Sequence, residues 1–357
     1  MVLWLSNDDA EQLLPPAGYV EALEDGYREH GCGRGVERIP SRTHTYVPTS
    51  REGVRFCCRT IEGGIPKLDA YSIRLCSEVP HEIVVNGLRR KHKPPAIDNK
   101  FYLGLVFLFG IEHGELRAII QDAYLNKMAT GATGALGVKY LAREDAKTVG
   151  IIGSGFQAQG QLKAVSTVRN ITGVKVFSPT PKNREAFART MSAEIGAEVR
   201  PVSSYEDAVR GTDVVITATN SYDPFFRGAW LEPGQHLDAM GGGDRINKMR
   251  ELYADAYERA SVVIVNDKAQ ARYDEPLDIL EAIDKGATTW SKIGELGRVI
   301  SGDDPGRSSE SQVTLHRHHT GLGLWYTAAG QKLFEAAIQA GAGRELPDEL
   351  FTQLLVT

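Results

Sequence analysis

The chain has 357 residues, enough for two domains or for one domain with a large insertion. An apolar fraction of 42% and a charged fraction of 24% are those of a soluble globular protein. No apolar run approaches the ~20 residues of a membrane span, and a net charge of −5 gives no reason to expect nucleic acid or an anionic membrane as a partner.

The start, MVLWLSNDDAEQLL, has no basic segment and no small-residue cleavage site, so no signal peptide is expected. Cys32, Cys57, Cys58 and Cys76 show no C-x-x-C spacing and no paired histidine cluster. Neither a metal site nor a disulfide framework is expected, which points to the cytoplasm. Residues 16–30 read as an amphipathic helix with Tyr19, Leu23 and Tyr27 on one face, closed by a glycine-rich turn at 31–35. Strands are expected at 42–47, 54–61 and 70–76, and a hairpin pairs 102–110 with 114–121. Arg42 and Arg74 fall in segments otherwise suited to a core sheet, where a charge needs a partner or a ligand. Residues 122–142 read as a helix.

The next stretch, TVGIIGSGFQAQGQL at 148–162, is the most informative in the chain. A β-branched run suits a buried parallel strand. It leads into Gly153-Ser154-Gly155-Phe156-Gln157-Ala158, a G-x-G-x-x-A turn, and then a helix pattern. Gly153 permits a tight turn that a Cβ would block. Gly155 lets the backbone approach a pyrophosphate, and Ala158 lets the helix pack closely on the strand. The free N–H groups at the helix start, from Phe156 onward, then face the anion. The other reading is an ordinary βα turn without a ligand, but the flanking strand and helix favour a dinucleotide.

The second strand, 173–178, ends at Ser178, 25 positions after Gly153. An NAD enzyme places a carboxylate near the end of that strand. Here the chain runs through Ser178, Thr180, Lys182 and Arg184, with hydroxyls and cations and no carboxylate. This favours a 2′-phosphate, hence NADP(H) over NAD(H), through charge-assisted bonds from Lys182 or Arg184. The alternative is that both cations are solvated residues at a helix start.

A helix at 183–195, a short strand at 198–202 and a helix capped by Ser204 follow. The strand 214–218 ends at Thr219 and Asn220, placed to touch the nicotinamide ribose. Strands at 236–240 and 262–265 continue the alternation, which is that of a doubly wound parallel sheet. A helix at 321–341 ends the chain. Just before it lie His316, Arg317, His318 and His319. Without cysteine or carboxylate ligands, metal binding is not favoured. His318 or His319 could donate a proton, or could be exposed or capping residues. His236, on a core strand, reads as buried and hydrogen-bonded.

Taken together, these segments resemble the ornithine cyclodeaminase/μ-crystallin family over nearly the whole chain. The resemblance rests on Arg42 after Ile39-Pro40, the LVFLF hairpin and its GELRAII partner, and the helix running into GIIGSGFQAQGQL. It continues through DVVITATNSYDPFF, the run Gly241-Gly242-Gly243-Asp244 with Lys248 and Glu251-Leu252 after it, and Ile293-Gly294-Glu295-Leu296. It implies an α/β fold: a Rossmann-type doubly wound NAD(P)-binding domain at 128–321, inserted in an α+β substrate and dimerisation domain at 1–127 with 322–357. A homodimer through the outer-domain sheets is implied as well. Family members use a nicotinamide cofactor on amino acids or imines. Some reduce cyclic or α-imino acids, and others oxidise ornithine and release ammonia while recycling the cofactor.

By the same resemblance, Asp244 matches an acidic residue acting near the reacting carbon. It can also be read as the N-cap of a helix at 246–252. Arg42 matches an arginine that binds the substrate carboxylate. Two positions depart from the pattern. The family's sheet lysine falls at Arg74, which cannot act as a general base but can bind a carboxylate. A second carboxylate-binding arginine falls at Ala129, with Lys127 close in sequence. The expected substrate set is therefore Arg42, Arg74, Lys127 and His319, with Asp244 and Arg74 at the chemistry. The expected activity is NADP-dependent reduction of imino acids, or its reverse, amino-acid dehydrogenation. Ornithine cyclisation and cofactor-dependent binding without turnover, as in μ-crystallin, are the alternatives.

Overall fold

The computed structural model describes residues 1–353 except 86, 98–101, 246–247 and 319–320, and leaves aside the side chains of 37–39. The chain divides into two compact units. The first comprises Met1–Pro80, Lys93–Ala129 and Leu322–Thr357; the second comprises His81–His92 and Thr130–Gly321. The division expected from the sequence, 1–127 with 322–357 against 128–321, does not separate the segment His81–His92.

Seventeen strands occur in the described residues. In chain order they are β1 (Val2–Leu5), β2 (Val36–Pro48), β3 (Arg55–Ile65), β4 (Ala70–Glu78), β5 (His81–Val85), β6 (Leu88–His92), β7 (Leu103–Gly110) and β8 (Leu116–Gln121). Then come β9 (Thr148–Ile152), β10 (Gly173–Phe177), β11 (Glu198–Pro201), β12 (Val214–Thr217), β13 (His236–Ala239), β14 (Val262–Val265), β15 (Ile293–Glu295), β16 (Thr314–Arg317) and β17 (Arg344–Leu346).

The first unit is built on a seven-stranded sheet in the order β17-β1-β8-β7-β4-β3-β2. All its pairs are antiparallel except β1 with β8. The helices Pro16–Gly31 and Gly323–Ala340 pack together, and the second also packs on the sheet. Tyr19, Leu23 and Tyr27, spaced by four, bury completely as the periodicity predicts. Trp325 Nε1 donates to the Tyr27 hydroxyl at 2.8 Å. Gly63 and Gly323 let the helix start touch β3 backbone to backbone, since a Cβ on Gly323 would lie 2.1 Å from the carbonyl carbon of Glu62.

The second unit holds an eight-stranded, all-parallel sheet in the order β11-β10-β9-β12-β13-β16-β14-β15. This is the expected doubly wound α/β class. Strand order reverses between β9 and β12, and ligands of such sheets bind at the carboxyl ends beside that reversal. The run that reads as a buried strand is one, with Val149, Ile151 and Ile152 fully enclosed. Ser204 caps its helix as expected, its hydroxyl accepting from the Asp207 N–H at 3.1 Å.

β1, the hairpin β5–β6, β16 and the short helices between β13 and β16 carry no clear signal in the sequence. Among the described residues no helix is long and apolar enough to cross a membrane.

Candidate functional site

The dinucleotide turn has the geometry its glycines require. Gly153 sits at φ +120°, and a Cβ there would fall 2.2 Å from the Ala218 carbonyl oxygen at the end of β12. Gly155 is the N-cap of the helix Phe156–Val168, and around its missing Cβ nothing lies within 4 Å. The N-cap offers no side chain to the first-turn N–H groups, which include those of Phe156, Gln157 and Ala158. Ala158 is fully buried, and Phe156 is half exposed. The Gln157 Oε1 is buried without a hydrogen-bond partner. A glycine face with open space around it and a helix start without a capping side chain fit a bound pyrophosphate.

At the end of β10, Ser178 is buried and Thr180 stands at the N-cap position of the helix Pro181–Ile195 without a side-chain capping bond. Arg184 folds back, its Nη1 donating to the Ser178 carbonyl at 2.9 Å and its guanidinium lying over the Phe177 ring. Lys182 is exposed beside it. Arg184 also lines a groove of about 500 Å³ with Lys175, Arg200, Ser203 and Arg210. Glu185 and Asp207 line the same groove, where cations outnumber carboxylates four to two.

The loop after β12 is tightly held. Thr219 donates its backbone N–H to Glu251 at 2.6 Å. The Asn220 side chain donates to the Lys91 carbonyl of β6 at 2.9 Å. That amide therefore fastens the hairpin β5–β6. After β13 come Gly241 and Asp244, and Asp244 is buried at 9% exposure. The expected helix at 246–252 does not form in its described part: Lys248 to Leu252 run without helical structure. An N-cap role for Asp244 is thereby removed. Here the backbone is engaged elsewhere: the Glu251 carbonyl accepts from Phe225 and Phe226, and Leu252 bridges to Phe226, in place of helical hydrogen bonds.

In the first unit the sheet register puts Arg42, Ile61 and Arg74 in one row across β2, β3 and β4. Side chains in such a row share a face, and two strand spacings separate Arg42 from Arg74 by about 10 Å. Arg74 is buried, its Nε and Nη2 both on Asp122 Oδ2 at 2.7 and 2.6 Å, with the Tyr326 ring 5.1 Å from its guanidinium. Lys127 and Ala129 are buried on the helix Asp122–Leu141. His319 lies outside the described residues.

Beside these, the second unit holds a buried polar network. Asp238 on β13 takes His316 Nδ1 at 2.8 Å on one oxygen and faces His318 Nε2 at 2.9 Å with the other. The two imidazoles stack 4.9 Å apart. Burial pushes the Asp238 carboxyl up, but His318 and His316 outweigh it and hold it well below the usual range. Burial pushes His316 down. Gln161 Nε2 lies 3.4 Å from His318 and donates to the Thr130 carbonyl at 3.2 Å. His318 is thus tied to Asp238 rather than exposed. The alternation Thr314, His316, His318 is a period-two signal that puts both histidines on one side of β16.

The profile of the ornithine cyclodeaminase/mu-crystallin family matches residues 98–340. The chain belongs to this family. Among its relatives, the Delta(1)-pyrroline-2-carboxylate reductase of Bacillus cereus is 33% identical over 251 residues, 70% of this chain and 76% of that one. The alanine dehydrogenase of Archaeoglobus fulgidus is 31% identical over 96% of this chain and 98% of its own length. The solved structure of Thermococcus litoralis Delta(1)-pyrroline-2-carboxylate reductase, in complex with NADH and L-proline, aligns with a TM-score of 0.83 at 26% identity, covering 97% of this chain and 100% of that one.

Within the family pattern, the two departures now have surroundings. The arginine at the lysine position has its own buried counter-ion in Asp122. The alanine at the arginine position is fully enclosed on the helix Asp122–Leu141.

Proposed function

We propose that this family member is a nicotinamide-dependent reductase of imino acids that prefers NADP(H). The observation that carries the reading is the pairing of two elements: an intact dinucleotide turn on β9, and an arginine row on the substrate-side sheet. The bound nicotinamide would supply hydride to the carbon of a C=N bond. Arg42 and Arg74 would hold the substrate carboxylate through charge-assisted hydrogen bonds. Asp244 would hold the proton that the imine nitrogen takes up. Lys182 and Arg184 would take the 2′-phosphate, and Thr219 the ribose.

The same row weighs against ornithine cyclisation. Between Arg42 and Arg74 stands Ile61, 2% exposed. Asp122, the carboxylate beside the row, is already paired with Arg74 rather than open to a side-chain ammonium. A homodimer is also proposed, formed through the sheet face that carries Ile73, Leu75, Leu105, Phe107 and Phe109. These residues are only partly buried in the single chain, and burying such a face between two copies is favourable.

The test is oxidation of NADPH and NADH in parallel by the purified protein. Substrates are cyclic imino acids and small 2-oxo acids with ammonia or methylamine, with ornithine and NAD as a control. NADPH consumption with an imine is the expected outcome. A clear NADH preference overturns the phosphate assignment alone. Ammonia release from ornithine without net cofactor change makes the protein a cyclodeaminase. Cofactor binding with no turnover on any substrate makes it a binding protein.

A further inference from the structure

We propose that Glu251 is a positioning residue for the reaction, its carboxylate locking together the loops that follow β12 and β13. Three donors converge on it. Oε1 accepts from the Thr219 N–H at 2.6 Å, and Oε2 accepts from the Thr217 hydroxyl and the Gly241 N–H, both at 2.7 Å. Thr217 ends β12, Thr219 belongs to the loop after it, and Gly241 opens the loop that carries Asp244. The side chain is 1% exposed, so no water replaces it.

A second observation ties the pair together. A Cβ on Gly241 would lie 2.2 Å from Glu251 Cδ and 2.5 Å from each carboxylate oxygen. Gly241 is therefore glycine because the carboxylate occupies the space of its side chain. The backbone of Glu251 is fastened too, its carbonyl accepting from the N–H groups of Phe225 and Phe226 at 3.0 and 2.9 Å. On the other side of the loop, Arg317 Nη1 donates to the carbonyl of Ala239, the last residue of β13, at 3.0 Å, while Asp278 holds that guanidinium at 2.6 Å.

Converging donors need an acceptor with several lone pairs and no hydrogens. A carboxylate meets this and a carboxamide does not, because one end of glutamine would present N–H to N–H. Both oxygens of Glu251 are taken by protein donors, so its role is positional. It acts by fixing where Thr219 and Asp244 stand relative to each other, so the inference rests on the roles proposed for those two residues.

The experiment compares wild type with Glu251→Gln, Glu251→Asp, Gly241→Ala and the double variant Gly241→Ala/Glu251→Ala. Thermal midpoints, NADPH affinity, kcat and KM for the imine, the deuterium isotope effect on hydride transfer, and amide hydrogen exchange are measured. In Glu251→Gln, kcat falls ten- to hundredfold and the imine KM, set in the first unit, moves less than twofold. The isotope effect rises as hydride transfer becomes limiting. Amide exchange at Thr219 and Gly241 speeds up at least tenfold. Gly241→Ala loses stability, and the double variant, which relieves the clash but orphans the buried donors, recovers neither wild-type stability nor kcat.

Wild-type kcat in Glu251→Gln overturns the proposal, as does a parallel loss of kcat and folded protein with unchanged amide exchange. If wild type reduces no imine, the proposed activity fails. The exchange and NADPH-affinity readouts then still decide whether Glu251 locks the loops.

Discussion

Arg74 and Asp122 form a buried ion pair in which both Nε and Nη2 reach one carboxylate oxygen, at 2.7 and 2.6 Å. The pair uses one edge of the guanidinium and leaves the Nη1 side as the edge that a substrate carboxylate would take. Asp122 opens the helix Asp122–Leu141, where a negative charge also suits the helix start. Space for it depends on Gly104, whose Cβ would lie 2.1 Å from Asp122 Oδ1. Arg74→Met should raise the imine KM at least tenfold, the cost of about one charge-assisted bond. It should also destabilise the fold by about 3–5 kcal/mol, because Asp122 is left charged and enclosed. Adding Asp122→Asn should restore most of the stability and none of the KM. Thermal midpoints and steady-state kinetics on the three proteins separate the two effects. An unchanged KM in Arg74→Met removes Arg74 from the carboxylate site.

Cofactor preference should respond to Lys182 and Arg184 differently. Lys182 is exposed, whereas Arg184 already donates to the Ser178 carbonyl and lies over Phe177. Lys182→Ala should cost NADPH kcat/KM about tenfold, with NADH nearly unaffected. Arg184→Ala should cost both cofactors, because it also frees the end of β10, with NADPH losing more. Equal losses for both cofactors in Lys182→Ala would show that no phosphate sits there.

The dinucleotide turn was legible because its chemistry is local: Gly153, Gly155 and Ala158 act within one βα connection. The amphipathic helix at 16–30 was legible for the same reason. Glu251 stands in a stretch that carries the family resemblance, but its role is not legible there, since its donors at 217, 219 and 241 meet only when β12 and β13 lie side by side. Asp238 was missed likewise, although two signals were present. His316 and His318 alternate as strand residues do, and Gly131, Gly134 and Gly137 recur every third residue on one helix. That spacing marks a helix face pressed against something. Arg74 was recognised as a charge in need of a partner, but Asp122, 48 residues on, could not be named without the β4–β7 register and the helix start.

The glycine face gives its own prediction. A Cβ on Gly137 would lie 2.4 Å from His316 Nδ1, and one on Gly134 would lie 2.0 Å from Gln161 Oε1. Gly137→Ala should therefore destabilise the protein by about 1–3 kcal/mol despite the better helix propensity of alanine. Pairing it with His316→Ala should recover part of that loss by opening the space. Urea denaturation of the single and double variants measures the coupling. Additive losses would show that the two positions do not share a contact.

His236 should contribute to acid sensitivity. It is fully buried, with Nδ1 2.9 Å from the Thr314 hydroxyl. That hydroxyl donates to the Leu141 carbonyl at 2.9 Å, so Nδ1 carries the hydrogen and Nε2 is a bare, buried lone pair. Burial pushes the imidazole down to about 3. The unfolded chain, with an ordinary histidine pKa near ~6.5, therefore binds a proton between these values that the folded chain refuses. Stability falls as pH drops through that window, by about 1.4 kcal/mol per unit at the steepest. His316, also pushed down by burial, adds to the same slope. Asp238 acts lower, its stabilisation lost only as pH falls below the ordinary carboxylate range. His236→Phe should cost about 1 kcal/mol at neutral pH through the lost hydrogen bond. It should also flatten part of the slope between pH 6 and 4.5. Unfolding free energies at four pH values across that range test this, and a slope parallel to wild type would assign the acid sensitivity to His316 alone.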